Sequence, residues 1–434
     1  MTTAPSVRPP LGRRWILLIP VASVMYLLAY FDRTNLSFVL PQMDDDLHLT
    51  ATDKGLVSGI FFIGYFFTQV PAAIIAQKWS AKYVVLILMV FWGLCAVWTG
   101  LVHNTGELFT ARFFLGVFEG GVQPATLILL SRWFPQKERA RASGLWLLAI
   151  PLAPIIAAPI TGTLLSSFDW RGVMILEGLP PLVWAIVWFF VIADTPRRAR
   201  WASAREAADI ETAIAADEVI KTESITTSTR YRDVVKNPIV IALVAAWFLY
   251  NAGFYGFTLW LPQVLSDMTG GSTELVGFLT AIPYVFGLAA MVVISTRTDR
   301  LGSRRTTVLV PLSVAAVALV VGQFVGGGVP EYVLLCVVAA GLYVHGAFFA
   351  LPPLLLRTEV LAVGLGLIGG IGNLGGFLGP YIVGWLDDVT GSTALGFVLL
   401  GAAIAGCGVL LAAVTPRRPR LAVAAPEAAA RVDA

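Results

Sequence analysis

Four ionisable residues stand deep inside long apolar runs: Asp32, Arg33, Arg112 and Glu119, with Glu177 nearer the outer end of another run. A charge within hydrocarbon costs roughly 3 kcal/mol or more unless it is paired or solvated. Arg112 and Glu119 are two helical turns apart, so they share one helix face about 10.5 Å apart along the axis. Asp32 and Arg33 are neighbours in the chain and point about 100° apart on a helix, so each must find its partner elsewhere, toward the fourth apolar run. Two acids and two arginines sum to zero charge. A proton added to Asp32 or Glu119 leaves one arginine uncompensated, and a bound anion restores neutrality. Such a set can couple proton binding to anion binding. Two static ion pairs between helices are the competing reading, but apolar side chains hold helices together at lower cost.

The residues around Glu119 read Gly116-Val-Phe-Glu119-Gly120-Gly121-Val-Gln-Pro124-Ala125. Glycines beside an intramembrane acid permit close backbone approach and bending. The second half of the chain offers neutral hydrogen-bonding groups within its runs: Asn251, Tyr255, Tyr284, Tyr343, His345 and Asn373. These suit a hydroxylated ligand. A polar loop at 296–305 contains Asp299, Arg300, Gly302 and Arg304. There a glycine permits a tight turn, and the charged residues can cap and tie helix ends at a gate. The corresponding first-half loop, Gln77-Lys78-Trp79-Ser80-Ala81-Lys82, keeps the basic positions and lacks the acid and the glycine. Cys95, Cys336 and Cys407 have neither paired nor metal-ligand spacing and read as small core residues. The sequence contains no nucleophile elbow, metal-spaced cluster or phosphate loop, which argues against an enzyme. No catalytic residue, metal, cofactor or nucleic-acid partner is expected.

The elements that must position these residues follow from composition. Of 434 residues, 57% are hydrophobic and 13% charged, with a mean hydropathy of +0.79. A water-soluble domain carries about 25% charged residues, so lipid has to be the solvent. A helix needs about 20 apolar residues to cross the hydrocarbon core. Such stretches lie near 15–40, 52–76, 83–102, 108–132, 142–167 and 172–193, then near 238–265, 275–296, 306–326, 331–356, 361–386 and 393–414. The predicted class is an all-α membrane protein of twelve spans in two pseudo-symmetric six-helix bundles. Nearly all of the 30 Lys and Arg fall in the tails and in loops after even-numbered spans, which places both termini in the cytoplasm. The first run has no small-residue cleavage site and reads as a retained span.

The predicted organisation is a cytoplasmic tail (1–14), a first bundle (15–194), a linker (195–237) with a short helix at 205–221, a second bundle (238–414) and a second tail (415–434). Leu40-Pro41-Gln42 recurs as Leu261-Pro262-Gln263, and Gly116, Gly121 and Arg132 fall on Gly341, Gly346 and Arg357. In that alignment His345 falls on Gly120, beside Glu119. Repeated halves with a site at their interface are a transporter plan.

These motifs carry a resemblance. The loop at 299–305 and the duplicated twelve-span plan resemble the major facilitator superfamily. Tyr30-Phe31-Asp32-Arg33-Thr34-Asn35, Arg112-Phe113, the glycine-flanked Glu119 and Trp133-Phe134-Pro135-x-x-Glu138-Arg139 resemble the anion:cation symporter family within it. The resemblance covers roughly 12–415. It implies proton-driven import of a small organic anion (a sugar acid, hydroxy acid or aromatic acid) by alternating access, without a cofactor, by a monomer in the inner membrane. It matches Asp32 and Glu119 to proton-handling acids, Arg33 and Arg112 to charge-balancing and anion-facing arginines, and Tyr65 and Asn373 to positions lining the substrate cavity. Tyr255 and His345 join them as substrate-binding candidates. The loop at 77–82 departs from the pattern, which implies an asymmetric gate. Two rivals remain. A proton-coupled drug or metabolite antiporter of the same superfamily is weakened by Ala158-Pro159-Ile160-Thr161-Gly162-Thr163, which lacks most of the glycines that exporters share there. A membrane-embedded sensor has no attached domain through which to signal.

Overall fold

The computed structural model describes residues 12–224, 234–301, 304–349, 351–356 and 358–415. Among them are 12 helices long and apolar enough to span a bilayer. In chain order they are α1 Arg13–Leu47, α2 Ala51–Lys78, α3 Ala81–Thr99, α4 Thr105–Trp133, α5 Gln136–Leu164, α6 Trp170–Val191, α7 Pro238–Thr269, α8 Thr273–Ile294, α9 Arg305–Gly322, α10 Val329–Phe349, α11 Val363–Thr390 and α12 Ala394–Val414. Number and order agree with the sequence reading. Two boundaries move for local reasons. α1 runs on past Pro41 until His48 turns left-handed (φ 52°) and returns its N–H to Asp44. α5 starts at Gln136, because Pro135 and Glu138 initiate a helix before the apolar run begins.

The internal repeat is visible in the packing. The pairs α2–α4, α3–α6 and α1–α5 of the first bundle recur six helices later as α8–α10, α9–α12 and α7–α11. Five spans are interrupted: α1 at Asn35, α4 at Gly121, α5 at Leu148, α10 at Tyr343–Val344 and α11 at Leu374. Backbone groups freed by a break are tolerated at membrane depth only where protein or a water-lined cavity satisfies them. Four of these breaks lie within two residues of Arg33, Glu119, His345 and Asn373 respectively.

The bundles meet along α2–α11 and α5–α8, with the second part of α1 against α7. Small residues bring these helices into backbone contact. A Cβ on Gly55 or Gly59 would strike the α11 main chain at Pro380 or Phe377, and Gly162 lies against Thr273 and Gly277 of α8. At the end carrying the loops after odd-numbered spans (the odd-loop end), Asp388 of α11 caps α2. Its carboxylate accepts from the N–H groups of Ala51 (3.0 Å) and Thr52 (2.8 Å) and from the Thr52 hydroxyl. An acid at a helix N-terminus also satisfies the helix dipole. The bundles are thus joined at the odd-loop end.

A helix at Ala204–Ser224 follows α6, close to the predicted linker helix. Arg197 pairs with Glu211 at 2.5 Å, and the Gln136 N–H donates to Asp217 at 2.6 Å, which holds this helix on the first bundle. The first-half loop at 77–82 does obtain an acid, from outside its own motif. Asp194, just past α6, accepts from the Ser80 hydroxyl (2.5 Å), the Lys82 N–H (3.1 Å) and Arg132 (3.1 Å), while Arg132 also donates to the Ala76 and Gln77 carbonyls that end α2. In the second half the helix that contains α8 continues beyond the span to Leu301, and the one that contains α9 begins at Arg304. Gly302 lies outside the described residues, as do the side chains of the other predicted gating residues, Asp299, Arg300 and Arg304.

Candidate functional site

The site is built on the contact between α2 and α4. Cβ atoms on Gly116 and Gly120 would collide with the α2 main chain at Phe61 and Tyr65, so only glycine allows this approach. The approach places the Phe61 and Tyr65 rings beside the buried charges, in a small apolar cluster with Phe62, Cys95, Ala96 and Leu115.

Arg33 leaves α1 just before its break and pairs with Glu119 of α4, Nε to Oε2 at 2.8 Å, with side chains 8% and 0% exposed. Its guanidinium lies 4.5 Å from the Tyr30 ring centre and 5.0 Å from those of Phe61 and Tyr65. Aromatic faces so placed stabilise a desolvated cation. The sequence reading that Arg33 looks to the fourth span is met in this pair. Asp32 does otherwise: its Oδ2 accepts from Trp92 Nε1 of α3 at 2.7 Å, and Oδ1 has no partner. Arg112 approaches only the main-chain carbonyl of Asp32, at 3.4 Å, and its own guanidinium lies 5.6 Å from the Phe61 ring centre. Arg112 forms no ion pair among the described residues, and its Nε lacks a partner although the residue is 3% exposed.

The second bundle closes the site with Tyr255 of α7. Its hydroxyl lies 3.5 Å from Arg33 Nη1, and its ring lies 4.3 Å from that of Phe62. Tyr65 contacts Gln123 of α4 at 3.4 Å through its hydroxyl. Asn373 sits half-buried before the α11 break, accepting from Trp247 (3.1 Å) and Asn251 (3.3 Å) of α7. A turn away on α11, Gly369 lies opposite Gln69 of α2, and Gly376 lies against Phe62. Asn373 therefore belongs to the stretch of α11 that faces the first bundle.

His345 stands apart from this cluster. It is buried among the rings of Trp247, Tyr250, Phe254 and Tyr343, and its Nδ1 lies 3.1 Å from the Tyr250 hydroxyl, which itself donates to the Leu342 carbonyl at 2.5 Å. The structure thus gathers Arg33, Arg112, Glu119, Asp32, Tyr65 and Tyr255, keeps Asn373 on the facing wall, and sets His345 within the second bundle. Sequence reasoning overlooked Phe61, Trp92, Gln69 and Gln123. A Trp or Phe in an apolar run is indistinguishable from packing until its neighbours are known. Gln69 and Gln123, as uncharged polar residues in spans, were legible signals.

The model for the Major Facilitator Superfamily matches residues 22–380. A candidate tartrate transporter of Agrobacterium vitis is 32% identical over 405 residues, covering 92% of each chain. A quinolone resistance transporter of Acinetobacter baumannii is 31% identical over 393 residues, covering 88% of this chain and 89% of its own. Among solved structures, the xylose transporter of E. coli in a partially occluded, inward-open conformation superposes with a TM-score of 0.72 at 15% identity, over 92% of this chain and 97% of its own. With its repeated bundles, its 12 spans and these matches along most of its length, the chain belongs to the Major Facilitator Superfamily and is a multi-pass membrane transporter of small organic molecules.

Proposed function

We propose that this protein imports a small organic anion by proton symport, with Arg112 as the anion-facing cation and Asp32 and Glu119 as the proton-handling acids. One observation carries the reading: a buried guanidinium without a carboxylate partner beside a second guanidinium already paired. A buried unpaired charge is costly, and a ligand carboxylate is the simplest group that relieves it. The Phe61 ring, 5.0 Å from the Arg33 guanidinium and 5.6 Å from that of Arg112, offers an apolar surface for the body of the ligand. Tyr65, Tyr255, Gln123 and Asn373 supply hydroxyl and amide groups for its hydroxyls, as a sugar acid or hydroxy acid requires.

In this reading a proton on Asp32 leaves the four charges with a surplus of one positive, and the anion enters against Arg112. A proton on Glu119 releases Arg33, whose contact with Tyr255 joins the two bundles, and so lets charge at the site bias their relative position. The bundles then rock about the site, open first at the odd-loop end and then at the other. The placement of Lys and Arg puts the even-numbered loops and both termini in the cytoplasm, so the joined odd-loop end of the structure faces outward. The location is the inner membrane, the working unit is a monomer and the energy source is the proton gradient.

The relative named for quinolone resistance favours a second reading, proton-driven export of an aromatic drug. The two separate on charge. In titrations of purified protein, carboxylic acids should bind wild type at least tenfold more tightly than their amides, and Arg112→Gln should erase that preference. Equal binding of acids and amides by wild type would contradict the anion reading.

A further inference from the structure

Two carboxylates lie within the field of Arg112, those of Glu119 and Asp32, yet it pairs with neither. Each acid is held by another donor. Glu119 takes Arg33 Nε at 2.8 Å. Asp32 takes a neutral group: the Trp92 indole donates Nε1–H to its Oδ2 at 2.7 Å, and Oδ1 has no partner. Arg112 meanwhile lies against the Asp32 main chain, Nη1 to the carbonyl oxygen at 3.4 Å, with its Nε unpartnered. A guanidinium and a carboxylate form one of the strongest hydrogen-bonded pairs open to side chains. Here the two belong to residues already in contact, and the side chains stay apart.

Trp92 is fixed where it stands. The residue is fully buried on α3, which packs along both α4 and α6, and a Cβ on the next residue, Gly93, would press on Leu182 and Pro181 of α6. The other ionisable groups acting on Asp32 are Glu119, Glu177 and Arg112, and Arg33, next in the chain, is engaged by Glu119. Among the described residues Arg112 is therefore the cation to which a released Asp32 carboxylate would turn. Filling space at this point needs only the rings of Trp92; the N–H adds a choice of partner for Asp32.

We propose that Trp92 is a positioning residue for anion recognition: its indole N–H holds the Asp32 carboxylate away from Arg112 and leaves that guanidinium open to a substrate carboxylate. The role rests on the reading of Arg112 as the anion-facing cation and deepens it. An internal carboxylate on Arg112 would occupy the donors that a bound anion needs. A neutral donor suits the task, because it fixes the acid without adding a charge to the balanced four. An indole N–H donates and cannot accept, so Oδ2 is kept as the acceptor, and a proton carried by Asp32 sits on Oδ1.

Two measurements on the full-length protein test this role, and the first needs no ligand. Thermal melts of Asp32→Asn, Arg112→Gln and the double variant give the coupling between these two residues, once with Trp92 in place and once in Trp92→Phe. The coupling should be about twofold larger, or more, in Trp92→Phe, where the carboxylate is free to pair. If Trp92→Phe does not accumulate, benzothienylalanine placed at position 92 keeps both rings and lacks only the N–H. The second measurement is binding of tartrate, gluconate and benzoate, each against its amide. Trp92→Phe should weaken acid binding about tenfold, leave amide binding unchanged, and have no effect once Asp32→Asn has removed the competing carboxylate. Unchanged coupling, or an acid-binding loss that is equal with and without Asp32→Asn, would overturn the proposal. Wild type that binds acids and amides alike contradicts the anion reading and this role together, whereas an acid preference that Trp92→Phe leaves intact contradicts this role alone.

Discussion

At the scale of residues, the account turns on how four buried charges are apportioned. Arg33 and Glu119 hold each other, and removing either leaves the other buried alone. Arg33→Gln should therefore lower stability by about 3–5 kcal/mol. The double variant Arg33→Gln/Glu119→Gln should recover much of that loss, as read by thermal melts of all four proteins of the cycle. Additive losses would show that the pair is not a unit. Trp92→Phe keeps the ring but removes the N–H given to Asp32, and should cost about 1–3 kcal/mol. The ionisable four were legible from sequence because charge inside an apolar run is conspicuous. Their pairing was only half legible: Arg33 to α4 followed from helix geometry, whereas Asp32 took a tryptophan from α3, and nothing in an indole among apolar residues announces that role. His345 shows the converse. A histidine in a span invites a functional reading, yet its ring is absorbed into the aromatic packing around the α10 break.

At the scale of elements, glycine decides what can approach. Gly116 and Gly120 let α4 lie directly on α2, which brings Phe61 and Tyr65 to the guanidiniums. Gly120→Ala should force these helices apart, at a cost of about 1–3 kcal/mol, and should reduce ligand binding more than an equally destabilising change on a lipid-facing surface. Binding and melting measured on the same samples distinguish the two. The glycine-rich stretch was legible as a place of close approach; its partner helix was not, because contacts distant in sequence leave no periodic trace. The broken helices were partly legible in the same way. Gly121 marks the α4 break, Pro151 follows the α5 break by three residues and Gly375 follows the α11 break directly, whereas no glycine or proline adjoins Asn35. The acid missing from the loop at 77–82 was likewise hidden, since Asp194 reaches it from beyond α6.

At the scale of the molecule, twelve spans and a duplicated unit follow from hydropathy, charge placement and recurring tripeptides, and the helix pairings repeat accordingly. Which end is closed could not be read that way. The cap placed by Asp388 on α2 belongs to that closure. Asp388→Ala should weaken it and lengthen the distance between spin labels at Asp45 and Ser392, whereas an unchanged distribution would assign closure to the apolar contacts of α2 with α11. The central claim, that proton binding and anion binding share one site, is tested most directly in proteoliposomes under an inward proton gradient, with sugar, hydroxy and aromatic acids added in turn to wild type and Glu119→Gln. The account predicts gradient-dependent accumulation of at least one acid by wild type and none by Glu119→Gln; accumulation that ignores the gradient, or that survives in Glu119→Gln, would contradict it.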